Sequence, residues 1–197
     1  MHPDDFLAEL DQMVKDRLDR LAESAKATEP SPSLGIASLL MTALKKELEA
    51  AEEAALWLAT EDDIEVKLAF ARQCGDEAKH YRLIEARLHE LGVDTREFSP
   101  LAEGYSPMFK YLKGLGTTVE RVAAGQFARE ALAGVHNQLF IEYCEAKGDL
   151  STAALYRDVI QPDERHHHEM GRRLLGGFRC CRRRGSERGR PRRGRSK

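Results

Sequence analysis

The residues of this chain best suited to chemistry belong to a motif that occurs twice. Segments 76–80 and 163–167 share the pattern Asp-Glu-x-x-His. On a helix, residues three apart lie on the same face, so the Glu and the His of each copy can bind one ion together. Iron and manganese bind carboxylate oxygen together with imidazole nitrogen. Two such helices facing each other would supply two carboxylates and two imidazoles to a metal site.

Two further glutamates lie within the apolar stripes of predicted helices. Glu47 falls among the apolar residues that recur between positions 40 and 58, and Glu130 among those between 119 and 140. A carboxylate on an apolar face costs free energy unless a partner compensates its charge. Bundles that hold two metal ions take one Glu from each of two helices and a Glu-x-x-His motif from each of the other two. The predicted ligands are Glu47, Glu77, His80, Glu130, Glu164 and His167.

The ligand on the first of these helices has an alternative. Glu53 could replace Glu47, and Glu47 could also lie at the edge of the apolar stripe and reach water. By helical spacing, Glu49, Glu52 and Glu53 are expected on the face opposite that stripe. Each stripe Glu precedes the next motif Glu by a comparable interval, 30 residues in the first half and 34 in the second. A helix, a turn and an antiparallel return of that length bring each pair to a similar height.

The second copy of the motif leaves a choice of histidine. His168 lies four residues after the motif Glu and could pair with it in place of His167, whereas His166 is expected to face solvent. Asp76 and Asp163 directly precede the two motif glutamates. Each is predicted to accept the second ring N–H of a ligand histidine, which would fix the orientation of that ring.

The hydrophobic pattern predicts an all-α fold. It indicates an N-terminal accessory helix over residues 1–27, a Pro-Ser linker over 28–33, and a four-helix bundle with one long crossover over 34–176. Bundle helices are predicted at about 34–59, 62–91, 117–146 and 151–175, and Pro162 is expected to loosen the last one just before its ligands. The stretch 93–116, with room for a short helix at 107–113, is too long for a tight turn and suits a crossover.

Composition limits the cellular setting of the protein. The four cysteines form no spaced framework, which predicts a reducing compartment without structural disulfides. The acidic N-terminus is unlike a signal peptide, and no uncharged apolar run approaches the roughly 20 residues of a membrane span. The protein is therefore expected to be cytoplasmic and to have no membrane partner.

The charge of the chain is divided between an acidic body and a basic tail. Residues 178–197 carry ten Lys or Arg residues and one Glu, while the rest of the chain has 21 basic and 32 acidic residues. The segment 177–197 is predicted to be a disordered tail. Basic tails can bind nucleic acid, but no aromatic residues alternate with these arginines to stack on bases. A nucleic-acid partner is therefore not expected.

These residues resemble those of the ferritin-like, non-haem di-iron carboxylate superfamily, which includes bacterioferritin, rubrerythrin and the di-iron oxygenases. The resemblance covers roughly residues 34–176 and rests on the two Asp-Glu-x-x-His motifs and the two stripe glutamates. It implies that Glu77 and Glu164 bridge two iron ions, or two manganese ions. Glu47 and Glu130 would then be terminal ligands, with one histidine on each ion. The paired C-x-x-C of a rubredoxin module is absent.

The resemblance implies redox chemistry without naming a substrate. The expected function is an oxidoreductase of the oxidase, oxygenase or peroxidase type, which activates O2 or peroxide at the dimetal centre and receives electrons from an external donor. The alternative is a ferritin-type protein that oxidises and stores iron. A helical structural protein with a vestigial site is a third interpretation. The expected assembly is a homo-oligomer such as a dimer.

Overall fold

The computed structural model describes residues 3–27 and 35–187, and every regular element in these ranges is helical. The predicted all-α class is confirmed, whereas the four-helix bundle with one crossover stays a prediction. In chain order, the elements are α1 (Pro3–Ala27), α2 (Ile36–Thr60), α3 (Ile64–Glu90), α4 (Pro107–Lys113), α5 (Thr118–Arg121), a first π segment (Val122–Arg129), α6 (Glu130–Ala146), α7 (Leu150–Leu155), a second π segment (Tyr156–Ile160) and α8 (Gln161–Glu187). The predicted linker 28–33 lies outside the described residues. Within residues 3–27 and 35–187, a helix with the length and apolar content of a membrane span does not occur.

Local capping interactions set the boundaries of the helices that carry the predicted ligands. The Asp63 side chain accepts hydrogen bonds from two backbone N–H groups of the first turn of α3. Gly92 has a φ of 80° just after α3 ends, a conformation that glycine commonly adopts at the C-terminus of a helix. Thr117 and Glu120 form a reciprocal capping box at the start of α5. These caps are local in sequence, which is why the boundaries were predictable to within a few residues.

The helices enclose two apolar clusters. α2 packs along α3, and α8 contacts α3, α6 and both π segments, while α1 lies against α6 and α8. The first cluster is centred on Leu40, Leu44, Ile84, Leu88, Ile141, Tyr156 and Ile160. The second is centred on Trp57, Val66, Phe70, Leu112, Val122, Phe127 and Leu175. Four helical stretches (α2, α3, residues 118–146 and residues 150–187) carry the predicted ligands, and each has residues of one cluster before its ligands in sequence and residues of the other cluster after them. The predicted ligands therefore form a layer between the two apolar clusters, which we call the ligand layer.

Both π segments precede predicted ligands. The first ends directly before Glu130, and the second ends four residues before Glu164. Pro162 has no N–H, so the carbonyl four residues earlier lacks its usual helical donor, and the irregular turn predicted there is confirmed. A π turn changes the direction in which later side chains leave the helix, and such turns are frequent at functional sites.

The predicted end of the last helix at residue 175 is wrong, because α8 continues to Glu187. Two glycines, Gly176 and Gly177, indicated a break at this point, but each costs only about 1 kcal/mol within a helix. A methyl group on Gly176 would lie 3.2 Å from Leu7, so α1 covers this turn. Phe178 packs against the second apolar cluster. These tertiary contacts offset the low helix propensity of the glycine pair.

Gly171 permits a close approach between α8 and the first π segment. A Cβ atom at this position would lie 2.9 Å from the backbone of Gln126 and Phe127. We expect Gly171→Ala to destabilise the protein by about 1–3 kcal/mol, since backbone atoms must move to admit the methyl group. The matched control is Gly75→Ala, because a Cβ there meets nothing within 4 Å. That change should stabilise α3 by about 0.5–1 kcal/mol. Chemical denaturation of the two variants measures both effects, and equal free energies of unfolding would contradict the close approach.

Candidate metal centre

The structure brings all six predicted ligand residues together. They form two overlapping groups, and within each group one possible ligand atom from every member lies within 4.8 Å of the others. Group A consists of Glu47, Glu77, His80 and Glu164. Group B consists of Glu77, Glu130, Glu164 and His167. Glu77 and Glu164 belong to both groups, the arrangement expected of two carboxylates that lie between two ions.

The six side chains are buried between the two apolar clusters. None of the six residues exposes more than 9% of its surface, and His80 and His167 expose none. Buried carboxylates and imidazoles of this kind require partners, because isolated charge in the interior costs several kcal/mol. The buried Glu and His side chains could hold metal ions, and the geometry brings four carboxylates and two imidazoles within reach of one another.

The two histidines are oriented by aspartates from the opposite copy of the motif. His80 places Nε2 3.2 Å from Asp163 Oδ2, and His167 places Nε2 3.0 Å from Asp76 Oδ2. In each ring Nδ1 faces the buried carboxylates; Nδ1 of His80 is 3.2 Å from Glu77 Oε2. If each Nε2 donates its proton to the aspartate, each Nδ1 is left with a lone pair directed into the centre. Both aspartates thus lie within hydrogen-bond distance of a candidate ligand histidine, and the crossed pairing between the two motifs was not predicted.

Two buried polar atoms of the centre have no hydrogen-bond partner. They are Nδ1 of His167 and Oε2 of Glu164, which lie 3.7 Å apart. Unpartnered buried polar atoms are rare and costly in folded proteins. A cation bound between them would satisfy both, since each offers a lone pair. The donor set of carboxylate oxygen and imidazole nitrogen therefore fits iron or manganese.

The acid–base properties of the centre reflect how closely its charges are packed. Burial, with a smaller contribution from the charge of Glu77, raises the pKa of Glu47. Burial likewise raises the pKa of Glu164 well above its usual range. Burial would also raise the pKa of Glu77, but the hydrogen bond with His80 and the charge of Arg129 outweigh it and lower that pKa. Burial opposes charge on His80, yet its contacts with Glu47 and Glu77 raise its pKa to about 10. In the absence of metal, the negative charge of these carboxylates is therefore reduced by protons on Glu47, Glu164 and His80 and by the guanidinium group of Arg129.

Arg129 was not predicted as a residue of the centre. Its Nη2 lies 2.5 Å from Glu130 Oε1 and 3.6 Å from Glu77 Oε1, and its Nη1 lies 3.8 Å from Glu53 Oε2. Gln73 was missed as well, and its Nε2 donates a hydrogen bond of 2.5 Å to the same oxygen of Glu130. Gln73 could have been predicted as a neighbour of the centre, because it lies one turn before Glu77 on the buried side of α3.

Glu49 and Glu53, which were expected on the face of α2 opposite the apolar stripe, are both buried. Glu53 faces Arg129, and burial raises its pKa to about 7. Glu49 accepts hydrogen bonds from the backbone N–H and the hydroxyl of Ser106, which caps α4. The opposite face of α2 is covered because α4 packs on it. Neither group A nor group B includes Glu53, so the geometry favours Glu47 as the ligand of α2.

The geometry also favours His167 over His168 as the ligand. His168 donates a hydrogen bond of 2.8 Å from Nδ1 to the carbonyl of Phe127 and stacks on the Phe127 ring. It thereby satisfies a carbonyl of the first π segment and turns away from the carboxylates. His167 is the member of group B, and His166 is partly exposed.

Removing the carboxylate charge behind either histidine should weaken metal binding without abolishing it. We expect Asp76→Asn and Asp163→Asn to lower metal affinity about 10- to 100-fold, because the amide no longer fixes the ring tautomer as strongly. Asp94→Asn is a suitable control, since Asp94 is exposed and pairs with Arg96 in a loop. Titration with manganese measures these affinities, and unchanged binding in both motif variants would contradict the crossed pairing.

No family model, curated protein or solved structure matches this chain.

Proposed function

We propose that the protein is a di-iron or di-manganese carboxylate oxidoreductase that reacts with O2 or peroxide in the interior of its helical fold. The observation that carries this proposal is the overlap of groups A and B at Glu77 and Glu164. A single-ion site needs only one such group, whereas two groups that share two carboxylates suit a pair of ions. The electron donor is expected to be external, because the chain has no C-x-x-C pair for a second iron centre.

The proposal includes a ferritin-like four-helix bundle. Its helices would be α2, α3, the helical stretch 118–146 and the helical stretch 150–187, each of which contributes to the centre. Support for a single crossover comes from the chain between α3 and α5, which includes α4 and packs α4 against α2. The short connections 61–63 and 147–149 join the helices within each half.

Charge balance supports two divalent ions. Groups A and B together contain four carboxylates, which match the charge of two divalent cations. Three adjoining carboxylates each lie beside a cationic side chain: Glu53 beside Arg129, Asp76 beside Arg72 and Asp163 beside Lys79. Burial of this many carboxylates reduces stability unless cations compensate them. Their retention in the interior is explained if the ions are bound.

The surroundings of the centre favour small reactants. Apolar clusters lie on both sides of the ligand layer, and the six ligand residues are almost fully buried. Bound iron or manganese would supply the redox chemistry, as metal cofactors generally do. The residues of the chain position the ions, exclude water and, through Asp76 and Asp163, hold the imidazole rings in place. O2 and peroxide are small enough to reach such a site without a large opening.

The test measures metal stoichiometry together with consumption of the oxidant. Wild-type protein reconstituted with ferrous iron without oxygen should bind about two ions per chain and then consume O2 or peroxide faster than the same iron with Glu164→Gln protein. Equal rates in the two samples would overturn the proposal. Uptake of iron far beyond two per chain into a large assembly would favour iron storage instead.

A further inference from the structure

The guanidinium group of Arg129 is a permanent positive charge beside the candidate centre. Arginine stays protonated in proteins, so this charge does not depend on pH. In the described part of the chain, its ion pairs involve Glu53, Glu77 and Glu130, and none involves Glu47 or Glu164. The charge therefore lies toward group B.

Groups A and B consequently offer unequal surroundings to a cation. Glu130 belongs to group B alone, and Arg129 and Gln73 both donate to its Oε1 at 2.5 Å. Glu47 belongs to group A alone, and its ion pair within the described residues is with His80, which is itself a member of group A. No arginine or lysine of the described residues pairs with Glu47, whereas Arg129 pairs with Glu130.

We propose that Arg129 makes the two metal positions unequal, so that the first ion binds group A tightly and the second binds group B more weakly. This inference rests on the proposed dimetal function and concerns the order in which its ions bind. The cause is electrostatic repulsion between the guanidinium group and the second ion, together with the engagement of one Glu130 oxygen. Glu53 holds the guanidinium group in place from the other side. Arg129 is thus a positioning residue that sets the affinity of group B.

Titration with Mn2+ tests the order of binding. Calorimetry of metal-free wild-type protein should show two steps whose dissociation constants differ about tenfold or more. In Arg129→Gln, the second step should tighten until the two constants lie within about threefold of each other. Arg165→Gln is the matched control, because Arg165 follows a ligand glutamate in sequence but is exposed. It should retain the wild-type gap.

Two further variants assign the steps and their cause. His167→Ala should remove the weaker step and keep the tight one, since His167 belongs to group B alone. The double variant Glu53→Gln with Arg129→Gln should show the same tightened second step as Arg129→Gln. A return to the wild-type gap in the double variant would mean that freed Glu53 had acted as an extra ligand, and would overturn the electrostatic cause.

The outcomes separate this inference from the proposed function. Two equal steps in wild-type protein, or an unchanged gap in Arg129→Gln, would overturn the inference and leave the dimetal centre standing. The absence of any Mn2+ binding by folded wild-type protein would overturn both. Circular dichroism at the titration temperature confirms that each variant is folded.

Discussion

Replacing Glu77 or Glu164 with alanine is expected to abolish binding of both metal ions. Each side chain belongs to group A and to group B, so its loss removes one carboxylate from both positions at once. The other side chains of groups A and B cannot move to replace the lost carboxylate, because they are buried and held by helices. Metal analysis after reconstitution with iron or manganese should fall from about two ions per chain to nearly none.

Glu53→Gln is the control for this prediction. Glu53 is as buried as the ligands and belongs to the same helix as Glu47, but it faces Arg129 instead of joining either group. This variant should still bind about two ions. Two ions per chain in either alanine variant, or loss of both ions in Glu53→Gln, would contradict the assignment of the shared carboxylates.

Loading the metal-free protein is expected to raise its melting temperature by about 10 °C or more. A ligand at 100 times its dissociation constant stabilises the folded state by about 2.7 kcal/mol per site, and about 1 kcal/mol shifts the melting temperature by about 2–4 °C in chains of this size. Two sites therefore contribute about 5 kcal/mol. Thermal unfolding with manganese and after removal by a chelator measures the shift. Glu164→Gln should show almost no response to metal, and an equal shift in that variant would contradict the prediction.

The stability of the metal-free protein should also depend on pH. Burial raises the pKa of Glu53 to about 7 and raises that of Glu47, so the folded chain retains protons that the unfolded chain releases above about pH 4.5. The free energy of unfolding should therefore fall as the pH rises from about 5 to 8. The raised pKa of His80 acts in the same direction, whereas the lowered pKa of Glu77 matters only in more acidic solution.

Bound metal should reduce that dependence, because the ions replace protons in balancing Glu47 and the other ligands. The comparison is between melting temperatures of metal-free and manganese-loaded protein at several pH values. Parallel curves for the two forms would show that the buried carboxylates do not exchange protons for metal.

The residues that meet in the candidate centre could be predicted from the sequence because their signal is local. The spacing of Glu and His within each motif places both on one helical face, and each stripe Glu interrupts an apolar pattern.

The unequal intervals of 30 and 34 residues between each stripe Glu and the next motif Glu also have a simple explanation. Glu47 lies 13 residues before the end of α2 and Glu77 lies 13 after the start of α3. Glu130 lies 16 residues before the end of α6 and Glu164 lies 14 after the start of α7. The two arms of each hairpin are nearly equal, so both pairs return to a similar height.

The parts that escaped prediction depend on how separate helices meet. The crossed pairing of each histidine with the aspartate of the other motif requires the relative placement of α3 and α8. Arg129 is the last residue of the first π segment, whose wider turn alters the simple helical spacing, so its direction toward the carboxylates could not be read from the sequence. The burial of Glu49 and Glu53 depends on α4 and Arg129, which come from distant parts of the chain.

Anomalous diffraction at the iron edge from crystals grown with ferrous iron would test the dimetal centre most directly. The predicted result is two peaks per chain, one among the side chains of Glu47, Glu77, His80 and Glu164 and the other among those of Glu77, Glu130, Glu164 and His167. A single peak, or strong peaks only at surface residues, would contradict a dimetal centre in this protein.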